Sequence, residues 1–165
     1  VTIKGTGILM NDEMDDLAAR PGKPNLFGLI QGERNKVEPK KRPLSSMTPT
    51  IVMRKDGRTW FALGARGGPR IISAVMQSII NVIDYDMNIL EAISAPRMHH
   101  QWMPDSIISE QNGISADTLA IMKGYGHIFN ETSGSVASAT GIMIDDKGIR
   151  LGAIDPRSDG KAIGY

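Results

Sequence analysis

Residues 50–84 read TIVMRKDGRTWFALGARGGPRIISAVMQSIINVID, and this stretch predicts two strands followed by a helix. The turn Lys55-Asp56-Gly57-Arg58 lies between two apolar runs, and Asp-Gly in that position is a strong signal for a β-hairpin. A glycine-rich turn at residues 64–68 follows the second strand. Residues 70–84 then predict a helix. Its apolar side chains cover more than one face, which is typical of a buried helix.

Shorter elements extend the pattern on the C-terminal side. Asn88 is placed to cap a second helix over residues 88–95, with Glu91 as its capping-box partner. Ser115 is placed to cap a third helix. That third helix is predicted to run through residue 123. Strands are predicted at 106–110 and 127–131, and a hairpin over 140–153 with its turn at Asp145-Asp146-Lys147-Gly148. Residues 20–43 are predicted to form a long loop. The order of sheet, helices and sheet predicts an α+β or layered α/β fold, formed by residues 1–165 as a single domain.

Composition narrows the possible functions. The 165 residues carry a formal net charge of +1, which gives no electrostatic basis for a nucleic-acid or membrane-surface partner. The longest near-apolar stretch, around residues 71–83, is too short to span a bilayer. The absence of cysteine excludes disulfides, thiolate metal sites and a cysteine nucleophile. Adjacent side chains such as His99 and His100 diverge, so no metal site is expected, and no cofactor is expected either.

Four carboxylates are packed into residues 12–16, in the run Asn11-Asp12-Glu13-Met14-Asp15-Asp16. Concentrated negative charge in a non-helical stretch either binds a cationic group or faces water. Oxygen ligands at this density are also compatible with a weak cation site. The residues by themselves leave these three alternatives open.

Two further clusters offer hydrogen-bond donors. Ser45 and Ser46 lie between Pro43 and Pro49 and present two hydroxyls that could bind an anion, although a turn with internally satisfied hydroxyls has the same pattern. Gly67 and Gly68 allow close approach of the backbone, so their N–H groups could point at an oxyanion next to a helix N-terminus. The alternative is an ordinary strand-to-helix turn.

Taken together and in order, these segments resemble the γ-glutamyltransferase family. The resemblance spans essentially the whole chain, and five motifs in order are far more specific than any one of them. The matching stretches are GIL at 7–9 leading into NDEMDD at 11–16, RPLSSM at 42–47, GARGGPR at 64–70, APRMHHQW at 95–102, and DPR at 155–157 with the terminal Gly164-Tyr165.

The resemblance implies a fold, a reaction and a partner. The fold is the four-layer αββα sandwich of N-terminal-nucleophile hydrolases, of which this chain would be a part. The family is made as a precursor that cleaves itself into a large and a small subunit, so the large subunit of the same precursor is the expected partner. The new N-terminal threonine of the small subunit is the nucleophile. The reaction moves a γ-glutamyl group, for example from glutathione, to water or an amino acid. Family members are often periplasmic or extracellular.

The resemblance also assigns roles to the three clusters. Glu13 and Asp16 match the acidic pair that holds the α-amino group of the substrate, and Ser45 and Ser46 match the pair that holds its α-carboxylate. Gly67 and Gly68 match the glycines of the oxyanion hole. These roles suit the chemistry, because a zwitterionic amino-acid head needs acceptors at one end and donors at the other.

Two departures from the family pattern qualify these expectations. The nucleophilic threonine is expected upstream of Val1, so the 165 residues alone should be inactive. The typical turn reads Gly-Ser-Pro-Gly-Gly-Ser-Arg, whereas here Arg66 replaces the proline and Pro69 replaces the second serine. That form is similar to a branch that includes cephalosporin acylases. The alternatives are therefore an acylase for a glutaryl-type side chain and a non-catalytic paralogue that binds amino-acid-like ligands.

Overall fold

A computed structural model describes residues 2–11, 13–131 and 134–164 of the chain, without the side chain of Glu131. The residues group into two compact units, Val1–Ser46 and Met47–Tyr165. The first unit contains two short 3-10 helices, Glu13–Asp16 and Glu33–Asn35. That residues 1–165 form a single domain stays a prediction.

The second unit contains seven strands and three helices among its described residues. In chain order they are β1 (Thr50–Met53), β2 (Thr59–Arg66), α1 (Arg70–Asp84), α2 (Ile89–Ser94), β3 (Met98–His99), β4 (Ile107–Ser109), α3 (Ala116–Gly124), β5 (Phe129–Glu131), β6 (Ser138–Ile144) and β7 (Arg150–Ile154). The α+β prediction is confirmed.

The main sheet is antiparallel with strand order β1-β2-β6-β7, so both predicted hairpins are confirmed. Their turns close through the bonds from Arg54 N to Arg58 O at 2.8 Å and from Asp145 N to Ile149 O at 3.0 Å. The two hairpins join through β2 and β6, with Ala65 opposite Ala139. Strands β3, β4 and β5 form a second, mixed sheet. The pairing of β2 with β6 places the glycine turn after β2 beside the segment that leads into β6.

Helices α1 and α2 pack on one face of the main sheet. The core they share consists mainly of Phe61, Leu63 and Ala65 from β2, Ala139 and Met143 from β6, Ala153 from β7, and Ile71, Ala74, Val75, Val82, Ile89, Ala92 and Ile93 from the helices. Burial of this apolar area is the main stabilising contribution of the unit.

Helix α1 buries one face only, so the expectation of burial on more than one face is wrong for this chain. Ile71, Val75 and Val82 face the sheet, whereas Ile72 is 65% exposed and Met76 is 52% exposed. A period of 3.6 residues places the second set of side chains on the opposite side of the helix. The structure therefore has an apolar surface along α1.

Two local predictions change in detail. Strand β2 continues through Arg66, so the turn is shorter than the predicted 64–68 and consists of Gly67, Gly68 and Pro69. The capping box of Asn88 and Glu91 is confirmed, with both reciprocal hydrogen bonds present. Ser115 precedes α3 but makes no side-chain cap bond. Its hydroxyl donates instead to Thr118 Oγ1 at 2.8 Å.

None of the helices within the described ranges has the length and apolar character needed to cross a membrane.

Candidate functional site

The glycine turn between β2 and α1 has a backbone conformation that favours glycine. The φ angles are +140° at Gly67 and +58° at Gly68. A Cβ atom placed on Gly67 would lie 2.8 Å from both Cα and Cβ of Ala137, which is closer than real atoms approach. The turn therefore depends on Gly67 for two independent reasons, the backbone angle and the contact with the segment before β6.

The backbone N–H groups of this turn are available to a ligand. Gly67 and Gly68 are half-buried, and neither N–H donates a hydrogen bond to any residue in the described ranges. Their carbonyl groups are occupied, since Arg70 N donates to Gly67 O at 3.3 Å and Ile71 N donates to Gly68 O at 3.1 Å. Two free donors at the start of a 15-residue helix have the character of an anion site.

The segment against which the turn packs is held from several sides. Arg70 Nη1 donates to Ser135 O at 2.9 Å, Arg97 Nη1 donates to Val136 O at 3.1 Å, and Val136 N donates to Glu110 Oε1 at 2.6 Å. Ala137 itself has a φ of +62°, which is unusual for a residue with a side chain. These contacts fix the position of Ala137 and so of the surface that Gly67 touches.

A buried ionic network lies behind this segment. Arg97 is 2% exposed and Asp155 is fully buried, and Arg97 Nη2 donates to Asp155 Oδ2 at 2.7 Å. Arg157 donates to Asp155 Oδ1 at 2.9 Å and to Glu110 Oε2 at 2.5 Å. Asp155 Oδ2 also accepts from Ala139 N at 2.8 Å, which ties the network to β6. Two cations and two anions balance within the cluster, as burial of charge requires.

The network lowers the pKa of both carboxyl groups. Burial opposes ionisation of Glu110, but hydrogen bonds from Arg157 and from the backbone of Val136 and Arg97 outweigh it and hold the pKa below its ordinary value. The pKa of Asp155 is lowered against the same opposition from burial, by bonds from the backbone N–H groups of Ala139 and Arg157 and by both guanidinium groups. Both groups are therefore ionised in the folded protein at neutral pH.

We expect acid to destabilise the protein through these two groups. A carboxyl with a lowered pKa stabilises the fold fully above its unfolded pKa, about 4, and the contribution is lost as the pH falls through the folded value. The melting temperature measured from pH 7 down to pH 3 should fall below about pH 4. Glu110→Gln should lower the neutral-pH melting temperature and flatten that fall, whereas Asp159→Asn, at an exposed position, should leave the curve unchanged. A Glu110→Gln curve parallel to the original would contradict this account.

The acidic cluster lies in the first unit. Glu13, Asp15 and Asp16 form the 3-10 helix and are half-buried, while Asp12 falls outside the described residues. The carboxylate of Asp15 accepts from Leu26 N at 3.1 Å. The carboxylates of Glu13 and Asp16 accept no hydrogen bond from any described residue. The structure thus separates one acid that holds the chain from two that are free to bind a cationic group.

The serine pair lies at the end of the first unit. Ser45 and Ser46 are exposed and lie on a segment that belongs to no helix or strand. The predicted residues are therefore divided between the units: Glu13, Asp16, Ser45 and Ser46 belong to the first, and Gly67 and Gly68 belong to the second. In the described ranges no group of three or more His, Asp or Glu residues has a geometry that could hold a metal ion.

The sequence motifs assign no role to the charged residues that support the glycine turn. Arg97 and Arg157 appear within matching motifs, but nothing in the pattern paired them with Glu110 or Asp155. Arg97, Glu110 and the Asp155–Arg157 pair come from separate parts of the chain and meet only when it folds. The available signal was the presence of charged residues directly beside Pro96 and Pro156 at element ends.

Comparisons with known proteins agree with the resemblance to the γ-glutamyltransferase family. The family model described as Gamma-glutamyltranspeptidase matches residues 1–165. The chain is 50% identical over 163 residues to a Glutathione hydrolase proenzyme of Escherichia coli strain K12, in a match that covers 97% of this chain and 27% of that protein. The chain therefore spans about a quarter of the length of that curated relative.

Solved structures show the same fold. A mutant of the Helicobacter pylori gamma-glutamyltranspeptidase matches with a TM-score of 0.83 and 44% identity, over 96% of this chain and 86% of that chain. A cephalosporin acylase from Bacillus halodurans matches with a TM-score of 0.67 and 24% identity, over 79% of this chain and 25% of that chain, and this likeness shows the fold alone. The predicted N-terminal-nucleophile hydrolase fold is confirmed by these structures. The chain belongs to the γ-glutamyltranspeptidase family.

Proposed function

We propose that the protein containing this chain cleaves γ-glutamyl amides such as glutathione and transfers the γ-glutamyl group to water or to an amino acid. The observation that carries the proposal is the 50% identity, across nearly the whole chain, to a protein named glutathione hydrolase proenzyme. The free donors of the glycine turn and the two free carboxylates support it, because each is a group that the reaction needs.

In this proposal Gly67 and Gly68 form the oxyanion hole. A threonine hydroxyl from outside these 165 residues attacks the γ-carbonyl carbon, and its proton passes through the threonine α-amino group to the leaving amine. The carbonyl oxygen becomes an oxyanion in the tetrahedral intermediate, and the two backbone N–H groups donate to it. Collapse of this intermediate breaks the C–N bond, releases the protonated amine and leaves the γ-glutamyl group as an ester on the threonine. Water or an amino acid then attacks that ester, its proton passes through the α-amino group to the threonine oxygen, and the C–O bond to the threonine breaks, which releases the γ-glutamyl product and restores the threonine.

Recognition of the substrate head is divided between two pairs. Glu13 and Asp16 accept from the α-ammonium, and Ser45 and Ser46 donate to the α-carboxylate. The assignment of Asp16 rather than Asp15 is supported by the hydrogen bond that already occupies Asp15. Charge-assisted hydrogen bonds of this kind are about twice as strong as neutral ones, so the pair gives the site selectivity for an amino acid.

A second candidate is an acylase for a glutaryl side chain. Arg66 favours it, because this residue stands where the family turn has proline and lies exposed at the end of β2, directly before Gly67. Sequence identity favours γ-glutamyl amides as substrates, since the chain is 50% identical to the glutathione hydrolase and 24% identical to the cephalosporin acylase. A glutaryl group carries no ammonium and would leave Glu13 and Asp16 without a partner.

The expected partner is the large subunit of the same precursor. The apolar surface of α1 supports a protein partner, because Ile72, Met76, Ile80 and Ile83 are all exposed along one side of that helix. Among the described residues, strands β1 and β7 are the edges of the main sheet. An edge strand is a surface to which another chain can add. The protein assembled from both subunits is the form in which activity is expected.

The direct test is release of aniline from a γ-glutamyl anilide. We expect release by the self-processed full-length protein and none by residues 1–165 alone, which should also aggregate because of the bare sheet edges. Turnover by residues 1–165 would show that the nucleophile lies within them. Absence of turnover by a correctly processed full-length protein would refute the proposed function.

A further inference from the structure

We propose that Asn35 and Gln31 are positioning residues that aim the carboxylate of Asp16 and so set the selectivity of the site for an ammonium-bearing substrate. The inference rests on the proposed function, in which Asp16 binds the α-ammonium. It concerns two amide side chains to which neither the motifs nor the reaction assigns a role.

The main-chain carbonyl of Asp16 is held by two side-chain amides. Asn35 Nδ2 donates to Asp16 O at 2.7 Å, and Gln31 Nε2 donates to the same oxygen at 3.1 Å. Asn35 Nδ2 also donates to Gln31 Oε1, so the two amides are joined to each other. The carbonyl therefore has both of its acceptor directions occupied by one connected pair.

Asn35 holds the chain on both sides of Leu17. Its own carbonyl accepts from Ala18 N at 2.8 Å, while its side chain donates to Asp16 O. Leu17 and Ala18 are the buried residues of the first unit within its described part, with 5% and 8% exposure. The bonds to Asp16 O and Ala18 N thus fix the backbone from Asp16 to Ala18 around a small apolar anchor.

Fixing this carbonyl fixes the backbone at Asp16 and so the direction of its Cα–Cβ bond, from which the carboxylate projects. The orientation of a carbonyl determines the ψ angle of its own residue, and with it the direction of Cβ relative to the chain that follows. The carboxylate itself accepts no bond from a described residue, so the bonds to the backbone are the contacts that set the position of its Cβ. A charged hydrogen bond to a substrate depends on such alignment.

The neighbouring acid is held by a different residue. Asn25 Nδ2 donates to Asp15 O at 3.4 Å, and the Asp15 carboxylate accepts from Leu26 N at 3.1 Å. Removal of the Asn35 amide should therefore disturb Asp16 while the contacts of Asp15 persist. This separation makes the two roles distinguishable by experiment.

The test is binding of L-glutamate and of glutarate to the self-processed full-length protein by calorimetry. Asn35→Leu keeps the size of the side chain and removes its N–H groups. We expect the Kd for L-glutamate to rise about 3- to 10-fold while the Kd for glutarate is unchanged. Gln31→Met, which removes the longer of the two bonds, should produce a smaller shift in the same direction and serves as the test if the Asn35 variant does not accumulate.

The matched control is Asn130→Leu. Asn130 lies on β5 in the second unit, where its amide donates to Ser106 Oγ at 2.9 Å, so the substitution removes a comparable bond outside the acidic cluster. It should leave the ratio of the two Kd values unchanged. The inference would be overturned if Asn35→Leu raised the Kd of both ligands equally or changed neither Kd. In that case the proposed function would still stand, provided that the unmutated protein binds L-glutamate. Unmutated protein that neither binds L-glutamate nor cleaves a γ-glutamyl anilide would overturn both.

Discussion

Gly67→Ala should lower the kcat of the self-processed enzyme about 100- to 1000-fold, the usual cost of losing one oxyanion-hole donor. The added methyl group would meet Ala137 at 2.8 Å, and the φ of +140° is one that alanine rarely adopts. Both effects rotate the turn and move its N–H groups away from the developing oxyanion. The defect should appear mainly in kcat, because the negative charge forms after the substrate has bound.

The matched control for this prediction is Gly148→Ala. Gly148 also has a positive φ, +82°, but it lies in the β6–β7 turn, where an added Cβ meets nothing within 4 Å. Its substitution should cost some stability and leave kcat unchanged. If processed and folded Gly67→Ala enzyme retained the original kcat, the role of this turn as an oxyanion hole would be wrong.

Asp16→Asn should weaken the reaction of a γ-glutamyl anilide selectively. The charged hydrogen bond to the α-ammonium is worth about 1.5–3 kcal/mol, which corresponds to about 10- to 150-fold in kcat/KM. A glutaryl anilide lacks the ammonium and should lose little. Asn preserves the shape of the side chain and its backbone contacts, so a general loss of structure is not expected.

Two comparisons show whether the effect is specific to the ammonium. Asp15→Asn should leave the preference between the two anilides unchanged, because the Asp15 carboxylate already accepts a hydrogen bond from Leu26 N. Ser45→Ala should weaken both substrates when both place a carboxylate at the serine pair, and so should not reverse the preference. An equal loss for both anilides with Asp16→Asn would make Asp16 a structural residue.

The elements of this fold follow from local sequence signals. Asp56-Gly57 and Lys147-Gly148 determine the two hairpins, and the capping box of Asn88 and Glu91 determines where α2 begins. Such signals involve neighbours within four residues, so a single sequence reveals them. The boundaries of α1 were predicted for the same reason.

Long-range pairings could not be predicted in this way. The join between β2 and β6, the contact of Gly67 with Ala137 and the meeting of Arg97 with Asp155 all connect residues far apart in the chain. Their side chains are of ordinary types, and the geometry arises only when the sheet forms. The single-face burial of α1 was missed because an all-round apolar pattern does not tell a core contact from a surface that awaits a partner.

The candidate site also combines features that the sequence reveals with features that only the folded structure reveals. The three clusters were recognisable from residue type and from their order, but the sequence could not show that Asp15 is occupied while Asp16 is free. That distinction depends on Leu26, whose N–H donates to the Asp15 carboxylate and which lies in what the sequence indicated only as a long loop.

The most direct test of the central claim is the kcat/KM of the unmutated, self-processed enzyme for matched γ-glutamyl and glutaryl anilides. The two acyl groups differ by a single α-ammonium, so their ratio measures recognition of that group by Glu13 and Asp16. We predict a preference for the γ-glutamyl anilide of about 10- to 150-fold, the range expected for a charged hydrogen bond. Equal rates or a preference for the glutaryl anilide would contradict the account. That result would favour the acylase alternative, with Arg66 as the first residue to examine.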